Sequence, residues 1–392
     1  MAAADEIELS IVLPCLNEEE TVGACVAVAR QTLESAGIAG EVIVADNGSE
    51  DGSREAAAAA GAQVVRVAER GYGAALMGGI AGARGRYILM ADADLSYDLA
   101  EAPRFLARLR EGSELVQGCR LPAGGGRVLP GAMPWLHRRI GNPGLSWLAR
   151  CWFGSSMRDI YCGMRAFRRD LYDRLALRCT GMEFATEMIL KAALAGARVC
   201  ELPITLHPDG RRTRRPHLKT FRDGWRTLRL FLICSPRWLF VYPGLALIGA
   251  ATALAAIVYG RVSVGGIQPD AHTLLIAGLL AILGYQAILF SAMTRLFAIQ
   301  EHLLPPDPVL ERWLRWINLE RGLLLGAAAI VAGLTMIVAV FLRWRSGQFG
   351  PLDYSETMRL VIPGVVLAAL GAQTMFGGAF ISVLGMRRRS VP

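Results

Sequence analysis

The sequence predicts an α/β domain with a mostly parallel sheet, followed by an all-α membrane domain of four transmembrane helices. Two observations support this prediction: short apolar runs alternate with helical segments over residues 1–210, and four long uncharged runs follow residue 237. Strands that alternate with helices are typical of a parallel sheet covered on both faces. The chain of 392 residues is also 53% hydrophobic, which is high for a soluble protein with 19% charged residues.

The α/β domain contains five segments that we expect to be strands, with helical segments between them. Each strand segment is short and apolar and ends in turn-forming residues. The predicted strands cover residues 7–13, 41–45, 63–67, 87–90 and 114–118. We assign residues 1–210 to this domain, 211–236 to a basic amphipathic region at the membrane surface, and 237–392 to the transmembrane domain.

Polar side chains follow three of the predicted strands. Asn17 and Glu18 follow the first strand, Asp46 follows the second, and Asp92 and Asp94 follow the fourth. Ligands bind at the carboxyl ends of the strands in an open α/β sheet. Side chains two residues apart in extended chain point the same way, so the last two carboxylates predict a site for Mg²⁺ or Mn²⁺. The alternative is that these are loop acids, one of which caps the next helix.

Other functions are disfavoured by patterns that the sequence lacks. It has no Gly-x-Gly-x-x-Gly and no Gly-x-x-x-x-Gly-Lys-Ser/Thr pattern, which argues against a dehydrogenase and a P-loop NTPase. Its eight cysteines include no Cys-x-x-Cys pair, and its five histidines form no zinc pattern. Because the N-terminal residues show no signal-peptide pattern, we expect reduced, cytosolic thiols.

A set of motifs resembles, in order and spacing, the family 2 glycosyltransferases of the GT-A fold. The resemblance is greatest to the dolichyl- or polyprenyl-phosphate mannose and glucose synthases. It covers about 210 residues and implies an inverting, metal-dependent transferase. The motifs are Pro14-Cys-Leu-Asn17-Glu18, Asp46-Asn-Gly-Ser-Glu-Asp-Gly-Ser, Gly71-Tyr-Gly-Ala-Ala, Met90-Ala-Asp-Ala-Asp-Leu-Ser, Gln117-Gly-Cys-Arg120, Asp159-Ile-Tyr-Cys-Gly-Met-Arg165, Met182-Glu183-Phe-Ala-Thr-Glu187 and Glu201-Leu-Pro-Ile204.

The resemblance implies a role for each matching residue. The metal ligands would be Asp92 and Asp94, and the catalytic residues would be Asp94, Arg120 and Arg165. The residues implied to bind the sugar donor are Pro14, Asn17, Glu18, Asp46, Gly73 and Asp92. The residues implied to bind an acceptor phosphate are Arg120, Arg138, Arg139, Asn142, Arg165, Arg211 and Arg212.

The sequence departs from the family pattern at two places. Asn47 stands where many members have a second Asp, and Ser96 stands where some have a Gln metal ligand, so the nucleotide and the third metal ligand stay open. The Gln-x-x-Arg-Trp signature of processive polysaccharide synthases is incomplete, because Cys234 precedes Arg237-Trp238 at its first position. This disfavours a polymerase.

The residues allow two kinds of acceptor. A phosphate is already a dianion at neutral pH, so it requires cations rather than a general base, and the region 120–215 is rich in arginine. A hydroxyl acceptor requires a base. Glu183 and Glu187, one turn apart on a predicted helix, are the candidates. For both glutamates we favour the alternative, in which the side chain lies on the helix surface or forms an ion pair with an arginine.

A basic stretch precedes the first apolar run, and a helix-period pattern overlaps its end. Nucleic-acid binding is allowed by charge alone, but a basic amphipathic helix before an apolar run is typical of a membrane-surface helix. A core helix with a solvated face is the alternative. The apolar positions are Leu218, Phe221, Trp225, Leu228 and Leu232, and the basic positions between them are Lys219, Arg222, Arg226 and Arg229.

Four stretches long enough to cross a bilayer contain no Asp, Glu, Lys or Arg. An even number of spans returns the chain to its starting side, and flanking basic residues indicate that this side is cytoplasmic. The absence of internal charges disfavours an ion-coupled transporter. An apolar stripe near residues 308–319 suggests an interfacial helix. The stretches lie between Arg237 and Arg261, Asp270 and Arg295, Arg321 and Arg343, and Arg359 and Arg387.

Together these features predict a hexosyltransferase of the inner (plasma) membrane with a cytoplasmic catalytic domain. It would move one hexose from a GDP- or UDP-sugar to a polyprenyl phosphate, with Mg²⁺ or Mn²⁺ as cofactor and no nucleic acid partner; the sugar and the oligomeric state, homo-oligomers included, stay open. One alternative is transfer to a lipid hydroxyl such as that of a diacylglycerol. The other is a non-catalytic membrane interaction or lipid-translocating protein with a degenerate α/β domain.

Overall fold

The computed structural model describes residues 7–211, 220–263, 265–301 and 319–385, together with Leu304, Asp307, Pro308 and Arg312. The chain divides into two compact units, Met1–Phe231 and Leu232–Pro392. The first unit is an α/β domain of the GT-A type with a mostly parallel central sheet, and the second contains four long apolar helices. Both parts of the predicted fold class are confirmed.

The first unit has a seven-stranded sheet of order β3-β2-β1-β4-β7-β5-β8 and a short parallel pair of β6 with β9. All five predicted strands are present. The described sheet is parallel except at β7, which runs antiparallel to both of its neighbours. The strands are β1 (Leu9–Cys15), β2 (Gly40–Asp46), β3 (Gln63–Arg66), β4 (Tyr87–Met90), β5 (Leu115–Cys119), β6 (Arg127–Val128), β7 (Arg165–Arg168), β8 (Val199–Pro203) and β9 (Thr205–Leu206).

The helices of the first unit form where apolar residues recur at helical spacing. In the first helix, Val22, Cys25, Val26, Ala29 and Leu33 lie on one face and are buried against the sheet. The helices are α1 (Val22–Ser35), α2 (Ser53–Ala59), α3 (Tyr72–Gly82), α4 (Ala102–Arg110), α5 (Asn142–Phe153), α6 (Arg169–Leu175) and α7 (Phe184–Leu194). A further helix, α8 (Thr220–Cys234), begins in this unit and ends three residues beyond its boundary at Phe231.

The predicted membrane-surface helix corresponds to α8, whose described part packs partly on the first unit. Phe231 is fully buried, and its ring centroid lies 5.5 Å from that of Phe153. Trp225 is 60% exposed, and Arg222, Arg226 and Arg229 are exposed as well. The helix therefore has one face on the α/β domain and a second face that is both basic and aromatic. Leu218 and Lys219 lie outside the described residues.

Among its described residues, the second unit has four helices that are long and apolar enough to span a membrane. The predicted four spans are confirmed by length and composition. The candidate spans are Arg237–Tyr259, Ala271–Gln300, Leu319–Ser346 and Tyr354–Gly385, and their helical parts are α9 (Tyr242–Tyr259), α10 (Ala271–Gln300), α11 (Leu319–Ser346) and α12 (Tyr354–Gly385). The proposed interfacial helix near 308–319 lies almost entirely outside the described residues, as does the basic C-terminus at 387–389.

Glycines allow α11 and α12 to pack closely. A Cβ at Gly371 would lie 2.6 Å from the carbonyl oxygen of Gly326, and one at Gly333 would lie 2.4 Å from that of Gly364. These distances are too short for any side chain. Close backbone approach at small residues is how helices associate when no water is present to drive apolar burial.

Candidate active site

The three polar clusters predicted at strand ends meet at one edge of the sheet. This follows from the strand order, because β2, β1 and β4 are neighbours and are parallel. The loops after β1 and β2 are joined by hydrogen bonds: Asn17 N donates to Ser49 Oγ (2.9 Å), and Ser49 N donates to Asp46 Oδ1 (3.0 Å). Asn17 Oδ1 also accepts a hydrogen bond from Glu50 N. Two of the predicted donor residues, Asn17 and Asp46, are therefore connected through Ser49.

The acidic pair lies directly after β4. Asp92 Oδ1 accepts a hydrogen bond from the Tyr72 hydroxyl at 2.9 Å, and Asp94 Oδ1 accepts hydrogen bonds from the backbone N (3.0 Å) and the hydroxyl of Ser96. Burial and the nearby charge of Asp94 raise the pKa of Asp92 to about 6. The two carboxylates thus share one electrostatic environment, which favours a cation between or beside them.

The donor set fits a hard divalent cation whose shell is completed by a substrate. Among the residues that the structure describes, no group of three or more His, Cys, Asp or Glu side chains could hold a metal by itself. Mg²⁺ in phosphate-transfer and related sites is commonly bound by one or two carboxylates and by the substrate's phosphate oxygens. Ser96 stands where some family members have a metal ligand, and its hydroxyl donates a hydrogen bond to Asp94. Asp92 and Asp94 therefore fit this kind of site.

Arg211 is in direct contact with Asp94 of the acidic pair. Its Nη1 lies 3.2 Å from Asp94 Oδ2, and its Nε lies 2.9 Å from Glu18 Oε2. Glu18 itself is only 5% exposed. The predicted acceptor residue Arg211 and the predicted donor residue Glu18 are thus brought together at the sheet edge. Arg212, its neighbour, lies outside the described residues.

Arg120 lies near Asp92, but much of its guanidinium is used by another carboxylate. Its Nε and Nη2 donate to the two oxygens of Asp159 at 2.8 and 2.9 Å, and its Nη1 lies 3.5 Å from the Tyr97 hydroxyl. Asp159 is fully buried and Arg120 is 7% exposed. Burial and the charge of Arg120 lower the pKa of His137, so the segment that precedes α5 lies close to this pair.

Arg165 is not at the surface, and the expectation that it faces an acceptor phosphate is corrected. It is fully buried in β7, between β4 and β5. Its guanidinium donates to the carbonyl oxygens of Ala185 (2.5 Å) and Cys162 (2.8 Å). A buried guanidinium that binds backbone carbonyls fixes the loop after Asp159 and the start of α7 in place. Its role is therefore positional.

Gly73, a predicted donor residue, also allows close packing of two segments. A Cβ at this position would lie 2.3 Å from the Cys179 carbonyl oxygen, and one at Gly71 would lie 2.2 Å from the Thr180 carbonyl oxygen. These glycines let the start of α3 approach the loop before α7, which brings Tyr72 to Asp92. Pro14 is half-buried in β1, where it pairs with Ala45 of β2.

The remaining acceptor candidates lie around the start of α5. His137–Gly141 forms a π-helical turn that continues into this helix, with Arg138 half-buried and Arg139 exposed. Asn142 is buried, and its Nδ2 lies 3.6 Å from the sulfur of Met133. The two arginines belong to the same surface region as His137, whereas Asn142 faces the interior.

The two glutamates considered as bases have partners. Glu187 is 3% exposed, forms an ion pair with Lys191 at 2.9 Å, and accepts hydrogen bonds from the backbone of Arg178 and Cys179. Glu183 lies 3.7 Å from Arg226 of α8. Glu187 therefore stabilises the loop before α7, and the arginine-pair alternative holds for Glu183.

The sequence did not reveal the contacts of three residues that shape this site. Tyr72 binds Asp92, Asp159 binds Arg120, and Asn47 connects two loops by donating to the Glu69 carbonyl (2.6 Å) and accepting from Gly71 N (2.7 Å). Each lies inside a motif that was recognised as a whole. Its place in the motif indicated that each residue belongs near the site. The motif could not indicate the partner of its side chain, because that partner depends on which loops meet in space.

Comparisons with known proteins agree with this architecture. Residues 10–176 match the family model described as glycosyl transferase family 2, and residues 292–385 match the model described as its C-terminal transmembrane region. The low-salt glycan biosynthesis hexosyltransferase Agl6 of Haloferax volcanii is 35% identical over 378 residues, which cover 96% of this chain and 89% of the relative. The chain belongs to glycosyltransferase family 2 and is a membrane glycosyltransferase.

A second relative and two solved structures extend the comparison. The dolichyl-phosphate hexose transferase of Haloferax volcanii is 29% identical over 218 residues, covering 55% of this chain and 89% of the relative. A crystal structure of a mycobacterial protein has a TM-score of 0.47 at 23% identity, covering 58% of this chain and 74% of that one. Glucosyl-3-phosphoglycerate synthase from Mycobacterium tuberculosis, solved with Mn²⁺ and UDP, has a TM-score of 0.43 at 21% identity. The match covers 58% of this chain and 77% of that one.

Proposed function

We propose that this protein transfers a single hexose, with inversion, from a nucleotide sugar to a polyprenyl phosphate at the cytoplasmic face of the inner (plasma) membrane. The observation that carries the proposal is the meeting of an acidic pair, Asp92 and Asp94, with Arg211 at the edge where β1, β2 and β4 end. The names of the two Haloferax relatives, a hexosyltransferase and a dolichyl-phosphate hexose transferase, support the same reaction class.

The donor is assigned to the connected surface of the β1 and β2 loops. Asn17 and Glu18 are hydrogen-bonded to the segment after β2, through Ser49, Glu50 and Ser53. Asp46 accepts a hydrogen bond from Ser49 N within that segment, so the three residues are preorganised for a base and ribose. Asp92 and Asp94 would bind Mg²⁺ or Mn²⁺ together with the diphosphate of the donor. The metal, when bound, supplies Lewis-acid stabilisation of the leaving diphosphate.

The acceptor is assigned to the arginine side of the site. A phosphate dianion needs cations that orient it, and Arg211, Arg138 and Arg139 are the candidates, with Arg120 contributing its field from the buried pair with Asp159. The two glutamates considered as bases for a hydroxyl acceptor are engaged with Lys191 and Arg226. This favours phosphate over a diacylglycerol hydroxyl.

The surface of the first unit also suits a lipid acceptor. Trp135, Ile140 and Trp147, around the start of α5, are each more than half exposed, and Arg139 lies among them in the sequence. On α8, Trp225 is 60% exposed beside exposed arginines. Exposed aromatic and basic side chains together are typical of a surface that contacts lipid headgroups. In the sequence, α8 ends three residues before the first candidate span.

The acceptor class is tested with the full-length protein in lipid nanodiscs. Radiolabelled UDP- and GDP-sugars are supplied with Mn²⁺ and either a polyprenyl phosphate or a diacylglycerol. The expected result is label on the polyprenyl phosphate, released by mild acid as expected for a glycosyl phosphate, and absent with Asp94→Asn. Label on diacylglycerol alone would replace the proposal with the hydroxyl alternative, and no label or nucleotide-sugar binding with any donor would favour a non-catalytic protein.

Orientation is tested separately in intact cells. The even number of candidate spans and the basic residues that flank them predict that tags at Met1 and Pro392 are both protected from external protease. A tag that is digested without permeabilisation contradicts the cytoplasmic assignment, whatever the acceptor is.

A further inference from the structure

The side chain of Arg211 contacts three carboxylates at the carboxyl end of the sheet. Its Nε lies 2.9 Å from Glu18 Oε2, and its Nη1 lies 3.2 Å from Asp94 Oδ2 and 3.3 Å from Asp209 Oδ2. Only 12% of the side chain is exposed. The guanidinium therefore neutralises a part-buried carboxylate cluster that includes a proposed metal ligand.

The two oxygens of Asp94 have different partners. Oδ1 accepts the hydrogen bonds from the backbone and hydroxyl of Ser96, which hold the turn after β4, and Oδ2 faces Arg211. A divalent cation on Asp94 would therefore use Oδ2. The cation and the guanidinium would meet at one oxygen, and two positive groups in contact in a part-buried site repel each other strongly.

The backbone around Arg211 is attached to the same turn. His207 N donates to the Ser96 carbonyl at 3.0 Å, and Gly210 N donates to the Asp94 carbonyl at 2.8 Å. A Cβ at Gly210 would lie 2.8 Å from a Leu95 methyl carbon, so this segment lies tightly on the turn. The long Arg211 side chain can leave Asp94 while these backbone bonds remain. The residue would then stay beside the site with its charge available.

We propose that Arg211 is an exchangeable counter-ion: it competes with the divalent metal for Asp94, and when the metal displaces it from that carboxylate, its guanidinium binds the anionic acceptor. The inference rests on the proposed function and adds an order to it. The metal and the donor diphosphate enter first, and the acceptor phosphate is bound afterwards by the arginine that they release. The same residue thus links the two halves of the site.

A fixed structural role for Arg211 makes a different prediction. If the guanidinium only attached the 207–211 segment to the domain, it would stay on Asp94 throughout, and its loss would lower stability without tightening metal binding. Competition predicts the opposite for metal affinity: loss of Arg211 tightens metal binding. Measuring metal affinity without any donor or acceptor separates the two roles.

The metal test uses the detergent-solubilised full-length chain and Mn²⁺ alone, with free Mn²⁺ quantified by electron paramagnetic resonance. Removing the competing cation in Arg211→Gln should tighten Mn²⁺ binding by at least about fivefold, the lower end of typical coupling between two ligands. Arg211→Lys, which keeps a positive charge, should stay closer to the wild type. An affinity of Arg211→Gln equal to or weaker than that of the wild type overturns the proposal.

Further measurements test whether the effect comes from the contact of Arg211 with Asp94. They distinguish it from a general effect of charge and from failure of the proposed metal site. Arg30→Gln removes the same charge from an exposed pair with Glu34 and should leave Mn²⁺ affinity unchanged. The effect of Arg211→Gln should persist at high salt, because a part-buried contact is screened less than surface charge. If wild type and Asp94→Asn bind Mn²⁺ equally, it is the proposed metal site that fails.

The acceptor test measures kinetics at saturating Mn²⁺ and donor. Arg211→Gln should raise the KM for polyprenyl phosphate at least about tenfold, as expected when a charged hydrogen-bond partner of a phosphate is lost, with a smaller change in kcat. Arg30→Gln again serves as the matched control. An unchanged KM alongside tighter Mn²⁺ binding would refute the transfer of Arg211 to the acceptor.

Discussion

The two units of the chain use charged residues in opposite ways. The first unit buries Asp159, Arg165 and Glu187 almost completely, and each has specific polar partners. In the second unit, the central parts of the four candidate spans contain no charged residue, and pairs such as Asp270 with Arg359 lie near helix ends. Buried charge is stable only with the right neighbours, whereas an apolar helix requires only an apolar environment. Chemistry therefore belongs to the first unit and anchoring to the second.

The largest expected effect is the loss of one carboxylate at the sheet edge. Asp94→Asn keeps the size of the side chain but removes a charged metal ligand. The activation barrier should therefore rise by about 4 kcal/mol, which lowers kcat/KM roughly 1000-fold. Because Arg211 keeps Glu18 and Asp209 as counter-charges, the thermal midpoint should change little. Activity assays in excess EDTA give the matching control, and full turnover of the wild type in EDTA would contradict a metal-dependent mechanism.

The buried pair of Arg120 with Asp159 should be the next most sensitive feature. Asp159→Asn leaves a buried arginine without its counter-charge, which should cost about 3 kcal/mol, or roughly 6–12 °C in the thermal midpoint of the first unit. The matched control is Asp170→Asn, which breaks an exposed pair with Arg168 and should cost under about 1 kcal/mol. Equal effects of the two variants would show that the buried pair is not special.

Glycine substitutions compare the close packing of the two units directly. Gly73→Ala and Gly371→Ala each place a methyl group against a carbonyl oxygen, at 2.3 and 2.6 Å, and each should destabilise its unit by about 1–3 kcal/mol. Gly144→Ala and Gly249→Ala are the helical controls, since nothing lies within 4 Å of their Cβ positions. In thermal unfolding the controls should be neutral or slightly stabilised. A neutral Gly371→Ala would mean that α11 and α12 do not need close contact.

The smallest effect is expected at Glu183. Its ion pair with Arg226 is partly exposed, so Glu183→Gln should change kcat/KM by less than about threefold. The measurement is made with a polyprenyl phosphate acceptor and saturating donor. If this variant were as inactive as Asp94→Asn while donor binding survived, Glu183 would be a catalytic base, and a hydroxyl acceptor would become the better assignment.

Much of the fold could be predicted because its signals are local. Apolar runs of four to seven residues that end in Asn17, Asp46 or Asp92 identified β1, β2 and β4, and uncharged runs identified the four candidate spans. The antiparallel strand β7 was missed, because the sequence Arg165-Ala-Phe-Arg168 has charged ends and no alternation strong enough to indicate a strand. Its place in the centre of the sheet depends on pairing with β4 and β5, which are distant in sequence.

The sequence by itself determined the class of this protein: an α/β domain with acids at its strand ends, and a membrane domain of apolar helices. Only the tertiary structure decided what each polar side chain does. Arg165 and Arg211 have the same chemistry and were both predicted to bind the acceptor phosphate. Arg165 is buried and donates to backbone carbonyls, whereas Arg211 forms ion pairs with Asp94 and Glu18. Residue type and periodicity are local properties, whereas the partner of a charged group depends on which distant segments meet, and burial makes that partner decisive.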